Sequence, residues 1–446
     1  MPRSSSPRVL LPGSLLQPYF RRLEEFSTLR WTGRVTKAVG YLVESEGPIC
    51  SVGEGCAIVT EGGQTFSGEI VGFRGRTVLS MPLERPSGIR YGDRIVTRGT
   101  QPSLRVGPAL LGRVIDGSGK PIDGHGRYRA REYWPLQNNA PLPLERVPIR
   151  EALGCGIRAI DGLITCGRGQ RVGIFGGSGV GKSTLIGMMT RATSADMTVL
   201  ALVGERGREV REFLEEAIGP AGLARSVVVV STSDQSPLLR IRAALAATTV
   251  AEYFCAQGKN VLLVVDSLTR FAMAQREIGL AAGEPPTAKG YTPSVFTLLA
   301  RLIERAGNYS GGSLTAFYTV LMEGDDEQDP LVDAVRALLD GHVMLDRRLN
   351  AQGHYPPISV LDSLSRLMPA VCSAPHIEKA RRIRQLLAAY TTSEDLIRVG
   401  AYQKGADPLL DRAIAALPAI TAFLQQKKTD IAPINKTLAA LQELPG

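Results

Sequence analysis

The stretch GGSGVGKST, residues 176–184, follows the apolar run RVGIF and opens a segment patterned as a helix. A buried strand, a glycine-rich turn and a helix starting at Lys182 constrain this chain more than any other feature. Gly176, Gly177, Ser178, Gly179, Val180, Gly181, Lys182, Ser183 and Thr184 fit the P-loop spacing, in the strand-to-helix setting it requires. The glycines let successive backbone N–H groups turn inward around phosphate oxygens. The following helix points its positive end at the same anion. Lys182 is expected to reach the β- and γ-phosphates, and Ser183 to place a hydroxyl on Mg²⁺. A flexible Gly/Ser linker is the bland alternative, and it fits poorly between a strand and a helix.

The segments around this turn predict an α/β architecture from about residue 156 to 370. Apolar strand candidates RVGIF, TVLALV, SVVVVS, NVLLVVD and LTAFYTVL alternate with longer helical patterns. Near-continuous apolar strands of this kind indicate a parallel sheet covered on both faces. Ahead of it, residues 33–98 carry short β-rich runs (GRVTKAV, YLVES, TFSGEIVGF, RTVLSM, DRIVTRG) between glycine-rich turns. They predict a small closed β-barrel. LGRVIDGSGKPID (111–123) reads as a hairpin, and 127–150, rich in Pro and Arg, as a linker draped over the next domain. After Cys372, HIEKARRIRQLLAAY and PLLDRAIAALPAITAFLQQ read as helices with no strand between them. The expected organisation is an N-terminal segment 1–28, a barrel 29–99, a P-loop domain 100–372 and a helical C-terminal domain 373–446.

Two carboxylates stand where a P-loop ligand would need them. Asp266 ends the run VLLVVD, and a carboxylate at the C-terminal end of such a strand suits Mg²⁺ and its waters. The alternative is that Asp266 only caps the helix that follows. Glu205 in GERGREV follows TVLALV, where it could polarise an attacking water. Seen alone it would be a solvated acid in a charged run, and Glu209 is the next candidate for the same task.

Composition narrows the remaining classes. The formal charge is +9, but the excess is spread thinly, with no basic run beyond pairs such as Arg381-Arg382 and Lys427-Lys428. Spread charge marks a solvated surface, so no nucleic-acid partner is expected. The six cysteines (Cys50, Cys56, Cys155, Cys166, Cys255, Cys372) form no C-x-x-C pair, which indicates neither a zinc site nor a disulfide framework. A cytoplasmic chain with reduced thiols, no signal peptide and no transmembrane helix is expected. In LLQPYFRRLEEF (15–26), Leu16, Phe20, Leu23 and Phe26 recur at helical spacing, predicting a short amphipathic helix. It either packs on its own domain or docks a partner.

GGSGVGKST, GERGREV, DSLTRFAMAQREIGLAAGEPPTAKGYTPSVF, TAFYTVLMEGDDEQDPLVDAVRALLDGHVMLDRRL and HYPPISVLDSLSR together resemble the type III secretion ATPases, the flagellar export ATPases above all. The resemblance runs from about Leu16 to the C-terminus. It implies a RecA-like core, a ring of six and ATP at subunit interfaces. It implies Glu205 as the catalytic glutamate, Asp266 as the Mg²⁺-organising aspartate and Arg366 as the arginine offered to a neighbour's γ-phosphate. Without it, Arg366 reads as a surface helix residue. Tyr355 matches a position where related rotary ATPases set a ring against adenine. The resemblance also implies a stator-like regulatory protein at the N-terminal helix, and an export gate, chaperones and export substrates at the inner membrane, where the ATPase is peripheral. An injectisome ATPase, a rotary synthase subunit and a hexameric RNA helicase are the alternatives. The C-terminal region lacks the acidic run expected of the synthase β subunit, and residues 29–99 are poor in aromatics for an RNA-binding fold.

Overall fold

The computed structural model describes residues 31–322 and 328–445. These form two compact units, one ending at Gln101 and the other beginning at Pro102. The predicted amphipathic helix at 15–26, and residues 323–327 inside YTVLMEGDDEQDP, lie outside the described residues.

The first unit is the expected barrel. Strands β1 (Thr32–Val39), β2 (Leu42–Glu46), β3 (Gly55–Val59), β4 (Thr65–Arg74), β5 (Thr77–Pro82) and β6 (Arg94–Thr97) close in the order β1-β2-β5-β4-β3-β6. Alternation along the strands turns Val35, Val43, Cys56, Ile58, Phe66, Ile70, Val78 and Ile95 into one core. Strand β3, GCAIV, was not among the β-rich runs singled out from the sequence.

The second unit is built on a nine-stranded sheet. Two small pairs precede or flank it: β7 (Ser103–Val106) with β9 (Glu132–Pro135), and β10 (Ala152–Leu153) with β11 (Cys166–Gly167). The sheet itself contains β8 (Val114–Asp116), β12 (Arg171–Gly176), β13 (Met197–Glu205), β14 (Ser226–Thr232), β15 (Asn260–Asp266), β17 (Ser313–Leu321), β18 (Gly341–Leu345) and β19 (Ile358–Ser365). Their order is β19-β18-β12-β17-β15-β13-β14-β8, with the short β16 (Gly307–Asn308) beside β17. All pairs along the path are parallel except β18–β19. The five apolar runs predicted as strands are β12, β13, β14, β15 and β17.

Two expectations need correction. The 111–123 segment does turn back at Asp116–Lys120, where Ser118 N donates to Asp116 Oδ1 at 2.9 Å. Its first arm, however, is β8, which pairs in parallel with β14 as an edge of the main sheet. Segment 127–150 is not only a linker, because it supplies β9. Its Arg146 is also pinned to the sheet unit, donating to Ala306 O and Glu304 Oε2, each at 2.9 Å.

The C-terminal helices Ala374–Arg398, Pro408–Leu424 and Ile434–Glu443 follow with no strand between them. Their buried residues Ala380, Ile383, Leu386, Leu410, Ile420, Phe423 and Leu441 belong to the same apolar cluster as Val172, Ile174 and Val264 of the sheet and Leu185 of the helix after the P-loop. The helices therefore share a core with the P-loop sheet. Among the described residues no helix is long and apolar enough to cross a membrane.

Candidate active site

β12 is buried apart from its first residue, and its chain leaves the sheet at Gly176. It turns through residues 177–181 and enters the helix Lys182–Ala192. Gly181, the residue before the helix, has φ of 102°, a conformation that side chains with a Cβ rarely adopt. A Cβ there would also stand 3.2 Å from the Tyr355 ring. Tyr355 thus lies against the P-loop, with its hydroxyl buried and pushed up to about 12 by burial. Ser183 is exposed in the first helical turn and Thr184 is half-buried.

Lys182 folds back into the loop it follows. Its Nζ donates to Gly176 O and Gly177 O, each at 2.8 Å. Burial lowers its pKa to about 8, while the nearby Asp266 and Glu205 oppose that shift. Its carbonyl partners are weak compensation for a buried ammonium, so a phosphate would be a better one.

Parallel pairing brings the two carboxylates to the same edge. Leu202 of β13 pairs with Asp266 of β15, which leaves Glu205 three residues beyond on the neighbouring strand. Asp266 is buried, and its Oδ1 accepts from Thr319 Oγ1 of β17 at 2.6 Å. Burial pushes its pKa up, against the pull of the Thr319 hydrogen bond and of Lys182. The helix-capping reading of Asp266 fails. Ser267 is the N-cap of the helix Leu268–Ala282, with Oγ accepting from Arg270 N at 3.3 Å. Glu205 is raised to about 7 by burial first, then by the Asp266 charge and by the neighbouring Glu209. Neither carboxylate is comfortable as an anion without a cation nearby.

Two members of this cluster were not anticipated. Arg270 acts electrostatically on Lys182, Glu205 and Asp266 together. Its Nε is buried with no hydrogen-bond partner. Thr319 orients Asp266 from the adjacent strand. Arg270 did leave a sequence signal. A helix N-terminus disfavours cations, yet both Lys182 and Arg270 sit in first turns at the same sheet edge. Such a placement makes sense if an anion binds between them. Thr319 left none, because only strand order makes it a neighbour of Asp266.

Arg366 is the one expected site residue set apart from this cluster. It is not on a helix. It follows β19, which runs antiparallel to β18, with Leu345 opposite Ile358 and Gly341 opposite Ser365. Residue 358 is therefore at the P-loop edge, and Arg366 is exposed at the opposite end of the sheet. Its own P-loop is out of its reach.

The family described as "ATP synthase alpha/beta family, nucleotide-binding domain" matches residues 156–365, and that family's beta-barrel domain matches 35–99. The "T3SS EscN ATPase C-terminal domain" matches 372–443. The chain is 49% identical to the flagellum-specific ATP synthase of Bacillus subtilis, covering 93% of this chain and 95% of that protein. It is 50% identical to that of Salmonella typhimurium, covering 93% of both. It is 47% identical to the type 3 secretion system ATPase of Xanthomonas euvesicatoria, covering 94% of this chain and 96% of the other. Among solved structures, the assembled ATPase EscN of the enteropathogenic E. coli type III secretion system superposes with a TM-score of 0.87 at 44% identity. That match covers 93% of this chain and all of the EscN chain. A P-loop with a poised lysine, two strand-end carboxylates and homology along nearly the whole chain lead to one conclusion: this chain belongs to the ATP synthase alpha/beta family, among its flagellum-specific and type III secretion ATPases.

Proposed function

We propose that the chain hydrolyses ATP to energise export of flagellar proteins through a type III secretion apparatus, as a ring of six whose sites lie at subunit interfaces. The observation that carries the ring is the separation of Arg366 from its own P-loop. Within one subunit, Lys182, Glu205 and Asp266 converge and Arg366 stands at the other end of the sheet. A guanidinium neutralises charge developing on a transferred phosphoryl group only where it can touch it. In this reading Arg366 serves the neighbour.

Glu205 takes a proton from the attacking water, and Lys182 and Arg270 hold the phosphates. The P-loop residues 176–184 wrap the triphosphate and Tyr355 lies against the adenine. Ser183 and Asp266 are hard oxygen donors of the kind Mg²⁺ selects. Among the described residues no cluster of three acidic, His or Cys side chains could hold a metal unaided. Mg²⁺ would therefore be shared between Ser183, the surroundings of Asp266 and the nucleotide, where it supplies positive charge to the phosphates. Residues 29–99 serve as the barrel, 100–372 as the hydrolase and 373–446 as the helical end. A stator-like protein docks on residues 1–28, and the export gate, chaperones and substrates meet the ring at the cytoplasmic face of the inner membrane. EscN has been solved in complex with its central stalk EscO, which supports a stalk for this chain too.

Mixing Arg366→Ala subunits with Lys182→Ala subunits tests the shared site. Rings containing both should regain hydrolysis that neither has alone, because some interfaces pair an intact P-loop with an intact arginine. No recovery in rings shown to be mixed overturns the reading. An injectisome role is the second reading, since the type 3 secretion system ATPase of Xanthomonas euvesicatoria matches at 47% identity beside 49–51% for several flagellar relatives. Co-purification of flagellar basal-body proteins, against injectisome proteins, separates the two.

A further inference from the structure

At the end of the sheet away from the P-loop, the backbone of Arg366 is held by a closed polar network. Arg366 N donates to Asp340 O at 3.0 Å. The same carbonyl accepts from Gln170 Nε2 at 3.1 Å. Gln170 Nε2 is also 3.1 Å from Ser365 Oγ, the residue before Arg366, and that hydroxyl donates to Thr165 O at 2.7 Å. Gln170 Oε1 accepts from Gly167 N at 2.8 Å. Gln170 is completely buried and its amide is used on both sides. Next to it, Arg171 holds the Asp340 carboxylate with Nε and Nη2, each at 3.0 Å, and Arg171 N donates to it at 3.0 Å. Gly341 lets β19 come this close: a Cβ there would lie 2.5 Å from Leu364 O and 3.1 Å from Gln170 Nε2.

A buried amide is a costly way to fill space, because each polar atom must be satisfied. Here one donor contact falls on the Asp340 carbonyl that also accepts from Arg366 N, and the other on the hydroxyl of Ser365, the residue before Arg366. An arginine offered across an interface is useful only if its backbone is fixed, since a displacement of about 1 Å can cost on the order of 100-fold in rate. Arg171 opens β12, the strand that ends in the subunit's own P-loop, and Gln170 immediately precedes it.

We propose that Gln170 is the positioning residue for Arg366, supported by the Arg171–Asp340 pair, and that it acts on the neighbouring subunit's site. The inference rests on the shared-site reading above. Its consequence is that β12 links two sites, its own P-loop at one end and the arginine lent to the neighbour at the other.

The test uses the full-length ring and Gln170→Met, which keeps the volume and removes the amide. Binding of a fluorescent ATP analogue should stay within about twofold, while kcat falls about 10- to 100-fold. Mixing Gln170→Met with Lys182→Ala should raise turnover per intact P-loop several-fold, because Lys182→Ala subunits lend a well-placed Arg366. A defect in a subunit's own site or fold would not be rescued this way. Ser365→Ala removes the same contact from the strand side and should repeat the pattern. Recovery in the Arg366→Ala mixture without recovery in the Gln170→Met mixture overturns this inference alone. Failure of the Arg366→Ala mixture overturns the shared-site reading and this inference with it. An unchanged kcat in Gln170→Met overturns the positioning role directly.

Discussion

At the P-loop end of the central sheet, Lys182, Glu205, Asp266 and Arg270 are gathered with few direct partners among themselves. At the other end, Arg171, Asp340, Glu304 and Arg146 are joined by ion pairs, including Arg171–Asp340 at 3.0 Å and Arg146–Glu304 at 2.9 Å. The first group is pushed toward neutrality, with the lysine lowered and both carboxylates raised. In the second, Asp340 and Glu304 reinforce the charged form of Arg171 against its burial. One end keeps unmet charge for a ligand, and the other spends its charge on holding strands together. Stability and activity should therefore respond oppositely at the two ends.

The largest effect should come from Glu205→Gln, which removes the water-activating group. Hydrolysis should fall by roughly 10²- to 10⁴-fold with nucleotide binding retained, measured by phosphate release and by equilibrium binding. Near wild-type turnover would move the role to Glu209. Lys182→Ala should lose both binding and hydrolysis.

The pH profile sharpens the same contrast. Glu205 must be ionised to accept a proton, so its raised value places the acid limb of kcat/KM near pH 7, with rate lost below it. Lys182 must be charged to hold phosphate, so its lowered value places the alkaline limb near pH 8, with rate lost above it. Glu205→Gln should abolish the acid limb of its residual activity. A limb that persists would assign it to another group.

At the paired end, Asp340→Ala removes one of the two carboxylates that hold Arg171 and leaves it paired with Glu304. Unfolding by urea should show a loss of about 1.5–3 kcal/mol, the range for hydrogen bonds to charged groups. An equally stable variant would show that the network does not hold the sheet edge.

The smallest effect has the opposite sign. Glu205 is raised from 4.5 to about 7, so its ionisation opposes folding above that range and contributes nothing adverse below pH 4.5. In nucleotide-free protein at pH 8, Glu205→Gln should therefore stabilise, by no more than about 1 kcal/mol given its partial exposure. The gain should vanish as the pH falls toward 4.5. Destabilisation at pH 8 would break the contrast between the two ends.

The parts legible in the sequence were those with a strong local period. β12, β13, β14, β15 and β17 carry near-continuous apolar runs because both faces of the sheet are covered. β19 was missed for a physical reason. Its inward positions include Ser363 and Ser365, which are buried because their hydroxyls bond to Ser359 O and Thr165 O. A polar residue satisfied by backbone looks like a surface residue in a sequence, and so Arg366 looked helical without the resemblance.

The sequence by itself determined the phosphate-binding turn, the strands on either side of it and the two carboxylates at strand ends. Each follows from residues close together in the chain, where backbone geometry and hydrophobic period leave a readable pattern. Only the tertiary structure decided that Thr319 joins Asp266, that the C-terminal helices share the sheet's core, and that Arg366 stands at the end away from its own P-loop. Those facts depend on which strands become neighbours and in which direction the last one runs. That is settled by packing between segments far apart in the chain, and no local pattern records it.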